Sequence, residues 1–270
     1  MINERFFISF DGTELYMKCN VPDNPKAVVV IVHGLCEHQG RYDYVTDKLN
    51  DAGYSVYRFD HRGHGRSKGK SVYYADFNEI VDDVNEAVKV AEVENPDIPL
   101  FILGHSMGGY ATALFGTKYP GRAKGILLSG ALTRYNLQLM GPLPMQGDPE
   151  LYFPNALGDG VCSDPAVVKA YGEDPYVRKE ISIALCNSLG GGITWLKENP
   201  KAFIDPVLIM HGVKDGLVSE KDSRDFFSEI SSEDKGLIIF PNLYHEILNE
   251  PAKDEVIYHV IGWISRRTAG

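Results

Sequence analysis

Two short runs of β-type composition, residues 5–10 and 14–19, stand near the start of the chain and are joined by Asp11-Gly12. An Asp-Gly pair supplies the backbone freedom a tight hairpin turn needs, so the pattern predicts an antiparallel opening. Beyond Pro22 and Pro25 the pattern changes to uninterrupted apolar runs at 27–32, 55–59, 100–103, 125–128, 206–210 and 236–240. Strands that are apolar at every position are covered on both faces. Helical periods lie between them. The clearest is Ile80, Val84, Ala87, Val88 and Ala91, set behind Asp76 and Glu79 in a capping-box arrangement, and a second is Val256, Ile257, Val260 and Ile261. Strand alternating with helix predicts an α/β fold: a mainly parallel sheet with helices on both faces, built from right-handed crossovers.

The alternation lapses between residues 131 and 200. This stretch has no strand-like run but carries Leu137, Met140, Leu143, Met145 and Phe153, broken by Pro142, Pro144 and Gly147, and then Gly190-Gly191-Gly192. A structureless loop of that length inside a compact domain is unusual. The stretch is therefore expected to be an inserted cap, partly helical around 178–189 and 193–198, dividing a catalytic domain into 1–130 and 201–270. Two further core helices are the plainer alternative. The glycine triplet reads as a hinge for opening, or simply as loop flexibility.

Charge narrows the partners. With 27 Lys and Arg against 37 Asp and Glu, the formal charge of −10 repels polyphosphates and anionic bilayers, which excludes nucleic acid as a partner. The first thirty residues hold no basic stretch followed by a long apolar run, so a soluble cytoplasmic protein is expected. Cys19, Cys36, Cys162 and Cys186 lack paired metal-ligand spacing and are too few to staple the chain; they are expected to be reduced and packed.

The chemistry concentrates at Gly104-His105-Ser106-Met107-Gly108-Gly109, between the apolar run 100–103 and a helical stretch, 110–118. A G-x-S-x-G between strand and helix is a nucleophile elbow, in which small residues two before and two after the serine relieve crowding at a strained turn. A serine needs a general base and an orienting acid, in the chain order Ser, Asp or Glu, His. His245 follows the last apolar strand in a loop at the sheet's carboxyl edge, whereas His259 falls inside a helical period. Asp215 follows the run 206–210 through a short turn; Asp205 begins that run at the opposite edge, and Asp222 and Asp225 read as surface or capping carboxylates. Ser106, Asp215 and His245 are thus the candidate triad. The backbone N–H groups of Met107 and of Leu35, in the loop His33-Gly34-Leu35, are the candidate oxyanion donors. Asp60, His61 and His64 raise the question of a metal, but glycines make their segment a loop and no fourth ligand is nearby. No metal and no cofactor are expected. Glu37 and Arg41 read as an ion pair steadying the oxyanion loop.

At this point the sequence resembles the monoacylglycerol lipase and lysophospholipase branch of the α/β hydrolases. The matching pieces are His33-Gly34 with Glu37-His38 and Arg41-Tyr42, then Asp60-His61-Arg62-Gly63-His64-Gly65-Arg66-Ser67, the serine elbow, His211-Gly212 with Asp215, and His245-Glu246. The resemblance implies the α/β-hydrolase fold and an esterase acting on monoacylglycerols beneath a cap, with the triad on the three residues already named. Cap residues Leu137, Met140, Leu143, Met145 and Phe153 are expected to shelter the acyl chain, each buried methylene contributing roughly 0.8 kcal/mol. Tyr171, Glu173 and Asn187 are the candidates for the glycerol end. A medium-chain preference and transient contact with a membrane surface through the cap are expected. A lysophospholipase, a carboxylesterase for short-acyl or aryl esters, a proline iminopeptidase and a non-catalytic ligand receptor compete, and oligomeric state is left open.

Overall fold

The computed structural model describes residues 1–268. Strand β1 (Ile2–Ile8) pairs antiparallel with β2 (Glu14–Asn20). The order continues with β3 (Ala27–Val32), α1 (Asp43–Asp51), β4 (Tyr54–Phe59), α2 (Phe77–Glu94), β5 (Leu100–His105), α3 (Met107–Lys118) and β6 (Gly125–Ser129). An intervening segment holds β7 (Tyr152–Pro154), α4 (Pro165–Glu173), β8 (Glu180–Ser182) and α5 (Ile183–Glu198). Then come β9 (Val207–Gly212), α6 (Glu220–Glu229), β10 (Lys235–Phe240) and α7 (Lys253–Thr268).

Eight strands form one sheet in the order β1-β2-β4-β3-β5-β6-β9-β10, parallel except where β2 pairs with β1 and β4. Each central strand divides its residues between two cores, as the two-residue side-chain period requires. Val28, Val30 and Val32 of β3 pack with α2, α3 and α5, while Ala27, Val29 and Ile31 pack with α1 and α7. That division is why these strands read as continuous apolar runs. The N-terminus of α2 is capped as expected by Asp76, which accepts from Asn78 N at 2.8 Å, but Glu79 reaches back to Ala75 N rather than to Asp76.

Strand order reverses around β3 and β5: the chain passes from β3 outward to β4, then back across to β5. A crevice opens at the carboxyl ends of strands where such a reversal occurs. The loops after β3 and β5 meet there.

Segment 131–200 departs from expectation in its details. It contains the small antiparallel pair β7–β8, where no strand is expected from the pattern, and helix α4, capped by Asp164. The two helical pieces expected around 178–189 and 193–198 are one helix, α5, running straight through Gly190-Gly191-Gly192. The triplet is therefore no break. Its absent side chains allow close approach: a Cβ on Gly190 would sit 3.0 Å from Leu143 Cβ, one on Gly191 3.3 Å from Phe77, and one on Gly192 inside the Tyr110 hydroxyl. Asp222, expected to be a surface or capping carboxylate, is fully buried, where it accepts the backbone N–H groups of Arg134, Tyr135 and Asn136 and anchors the start of this segment. The four cysteines are buried and unpaired. Among the described residues no helix is long and apolar enough to cross a membrane.

Candidate active site

Ser106 occupies the turn from β5 into α3 with φ 55° and ψ −118°, a region costing a non-glycine residue about 1–3 kcal/mol. The surroundings hold it there. Ser106 N donates to Ser129 O at 2.9 Å, and its carbonyl accepts from Tyr110 N at 2.9 Å and Leu132 N at 3.3 Å. Side chains at Gly104 or Gly108 would collide, the first with Thr112 and the Gly108 carbonyl, the second with the Val32 and His33 carbonyls.

Asp215 and His245 come from the loops after β9 and β10. His245 Nδ1 lies 2.7 Å from Asp215 Oδ2, and His211 Nε2 lies 2.9 Å from the same oxygen. Asp215 Oδ1 accepts from Leu217 N at 2.8 Å and Val218 N at 2.9 Å. Burial alone would raise the Asp215 carboxyl, but the charge on His245 and the donors from His211 and His245 outweigh it and hold the group well below the usual carboxylate range. Burial likewise pulls the His245 imidazole down, and the Asp215 charge and hydrogen bond more than restore it, leaving it above the ordinary value. Such a group is poised to take a proton and stay upright while charged.

Two adjoining hollows meet at Ser106 and His245, with Leu35, Leu157 and Leu217 as shared walls, and together form a cavity of two characters. On one side the walls are Leu35, Leu132, Met140, Leu189, Leu217 and Val218. On the other they include Glu37, Tyr171 and Glu246. Behind the polar side Arg41 is wedged between two carboxylates, 3.1 Å from Glu37 Oε2 and 2.8 Å from Glu246 Oε2, under the Tyr171 ring at 4.8 Å. The expected Glu37–Arg41 pair is thus present, extended by Glu246 across to the histidine loop. Leu35 and Met107 both line the cavity beside Ser106, and among the described residues neither backbone N–H has an acceptor.

The other sequence candidates scatter. Met140 and Tyr171 line the cavity. Leu143, Met145 and Phe153 pack, partly buried, against the main core, and Leu143 also borders a separate surface hollow. Leu137 points outward, 45% exposed. Asn187 is occupied bridging Met145, accepting from its N at 2.6 Å and donating to its carbonyl at 3.2 Å. Glu173 is exposed on α4, one turn from Lys169, so neither it nor Asn187 reaches the polar wall. Reasoning from the sequence misses His105, whose ring packs on His245 at a centroid distance of 4.6 Å, and His211. It also misses Leu189 and Leu217 as cavity walls. Only the position of His105 and His211 in already noted motifs could have pointed to them.

A strained serine between strand and helix, backed by an aspartate–histidine pair from the next two sheet-edge loops, defines a serine hydrolase of the α/β-hydrolase class. The chain belongs to the serine aminopeptidase S33 family, whose model matches residues 23–252. It is 35% identical to the monoacylglycerol lipase of Mycolicibacterium smegmatis over 97% of this chain and 96% of that one. It is 30% identical to the monoglyceride lipase of Homo sapiens over 97% and 90%. Among solved structures, the monoacylglycerol lipase of Paleococcus ferrophilus superposes with a TM-score of 0.82 at 28% identity, over 94% of this chain and 99% of that one.

Proposed function

We propose that the chain cleaves monoacylglycerols to fatty acid and glycerol through an acyl-enzyme on Ser106. The observation that carries this is the two-sided cavity at the serine, apolar toward Leu132, Met140 and Leu189 and polar toward Glu37, Tyr171 and Glu246. One wall suits an acyl chain and the other a polyol. The names of the relatives point to the same substrate class.

Ser106 Oγ attacks the ester carbonyl as its proton passes to His245 Nε2, and Asp215 holds the resulting imidazolium in place. The carbonyl oxygen, now an oxyanion, is met by the Leu35 and Met107 N–H groups. Collapse of the tetrahedral intermediate breaks the ester C–O bond; the glycerol oxygen takes the proton from His245 and leaves an acyl-serine. Water then attacks that ester by the same steps and regenerates Ser106.

Segment 131–200 serves as the cap in this mechanism. Leu139, Met140, Leu157 and Leu189 of the segment cover the apolar side of the cavity beside Ser106, so a shift of the segment would widen the way in for an acyl chain. Exposed Leu137, Leu139 and Leu151 on that segment support brief contact with a lipid surface, and four unpaired buried thiols support a cytoplasmic setting.

A panel of monoacylglycerols of graded chain length, lysophospholipids, aryl esters and aminoacyl amides tests the substrate class. The expected outcome is a kcat/KM that climbs several-fold per added methylene to a medium-chain maximum on monoacylglycerols. A flat profile, or a maximum on acetyl esters, feruloyl esters or aminoacyl amides, contradicts it.

A further inference from the structure

The apolar side of the cavity at Ser106 and the separate surface hollow bordered by Leu143 have one residue in common, Tyr135. Around it, chain neighbours part to opposite sides. Leu139 and Met140 face the cavity while Pro142 and Leu143 line the hollow, and on α5 Leu189 faces the cavity while Gly190 lines the hollow. Ser106, Met107 and His245 border the cavity and not the hollow, so the hollow lies beyond Tyr135 from the nucleophile. We propose that Tyr135 is a specificity-determining residue, its ring being the stop that limits the length of acyl chain the cavity accepts. This limit rests on the monoacylglycerol reading above, in which the apolar side takes the acyl chain.

A stop must not swing aside, and Tyr135 is secured at both ends. Its backbone has φ 61°, a left-handed conformation that a bulky residue rarely adopts. The buried Asp222 carboxylate holds it there, Oδ2 accepting from Tyr135 N at 2.7 Å and from Arg134 N at 2.9 Å, and Oδ1 from Asn136 N at 3.0 Å. At the far end the phenol closes back on its own loop, donating to Gly141 O at 2.8 Å and accepting from Met140 N at 3.0 Å. The ring is thus tied through backbone and hydroxyl alike. Met140 beside it has a flexible thioether side chain that can re-pack around a ligand, so the fixed boundary falls on the tyrosine.

Beyond the ring the hollow offers the same kind of surface. Pro142, Leu143 and Ile193 give it apolar walls, alongside the polar Gln138, Thr194 and Lys197. An acyl chain that starts at Ser106 gains about fourfold in affinity for each methylene it takes out of water. That gain ceases where the chain end meets the Tyr135 ring. Without the ring the cavity and the hollow run together, and the gain resumes as the chain continues toward Leu143 and Ile193.

The test is kcat/KM on monoacylglycerols lengthened two methylenes at a time in one detergent, for the wild type, Tyr135→Phe, Tyr135→Ala, and Tyr135→Ala combined with Thr194→Trp. Tyr135→Ala is expected to move the maximum at least two methylenes toward longer chains. For an ester two methylenes past the wild-type optimum, its kcat/KM relative to that at the optimum should rise about tenfold. Tyr135→Phe keeps the ring and is expected to keep the wild-type maximum. Thr194 is exposed on α5, and a tryptophan there fills the hollow, so the combined variant is expected to return to the wild-type length. Should Tyr135→Ala fail to fold, Tyr135→Gly, which takes the positive φ without strain, replaces it with the same expectation. The proposal is overturned by a maximum that stays at the wild-type length in a folded variant lacking the ring, by one that the added tryptophan fails to return, or by an equal shift in Tyr135→Phe. A wild-type profile that does not depend on chain length overturns the assignment of the apolar side to the acyl chain instead.

Discussion

Asp215 receives donors on both oxygens, two of them imidazoles, and this arrangement ties the proton affinity of His245 to one carboxylate. In the proposed mechanism His245 must be neutral to accept the serine proton, so kcat/KM should rise with pH along a single limb. The Asp215 charge raises His245, which places that limb above the ordinary imidazole value of about 6.5. Asp215→Asn should move the limb to lower pH and reduce turnover by about four orders of magnitude through the wrong tautomer. A pH–rate profile unchanged by the substitution would assign the acid elsewhere. Asp205 gives a test of stability rather than turnover. Set at the sheet edge opposite the triad, it is only 3% exposed; Oδ1 accepts from Gly121 N, and Oδ2 has no partner among the described residues. Burial pushes its pKa up to about 6, opposed by the Gly121 N–H. A folded value above the unfolded one, near 3.9, means the native state keeps a proton that the unfolded chain gives up between about pH 4 and 6, so this group's contribution to stability declines as pH rises through that window. Asp205→Asn should therefore gain about 1–2 kcal/mol at pH 7.5 and nothing near pH 4, as read by urea melts at the two pH values. An absence of gain at pH 7.5 would contradict it. Ser106 and His245 are legible in the sequence because motif and strand position converge on them. The burial of Asp205 and Asp222 is not, since nothing local distinguishes a capping aspartate under solvent from one beneath a folded segment.

At the scale of elements, α5 shows where periodicity loses its force. Three successive glycines signal a break when read locally, because each weakens an isolated helix by about 1 kcal/mol relative to alanine. Tertiary packing outweighs that penalty: the bare backbone at 190–192 lets α5 settle against Leu143, Phe77 and Tyr110. Gly192→Ala should destabilise the fold by about 1–3 kcal/mol despite its better helix propensity, by driving a methyl into the Tyr110 hydroxyl. Adding Tyr110→Phe, which removes that oxygen along with its bond to Ser188 O, should recover part of the loss. A double-mutant cycle by denaturant melts reads the coupling; strictly additive effects would show that the contact is not the cause. The central strands, by contrast, are readable nearly to the residue, because burial on both faces leaves an unbroken apolar signature. The pair β7–β8 is not, being three residues on each side and half exposed on β7.

Across the whole molecule, the site is assembled from loops far apart in sequence and tied by a few buried polar contacts. Arg41 joins the oxyanion loop to the histidine loop through Glu37 and Glu246, His33 and His61 join the oxyanion loop to segment 60–67, and Asp222 anchors segment 131–200 to α6. None of these long-range ties has a periodic signature, which is why the sequence points to the candidate triad and to the local Glu37–Arg41 pair but not to the other supports. The whole mechanism depends on Ser106 as the residue that takes the acyl group. The direct test is the rate of monoacylglycerol hydrolysis by Ser106→Ala, with circular dichroism confirming the native fold. A loss of at least about a thousandfold is expected, leaving only what binding and the oxyanion donors supply. A folded Ser106→Ala protein that kept more than about a tenth of wild-type turnover would contradict the assignment.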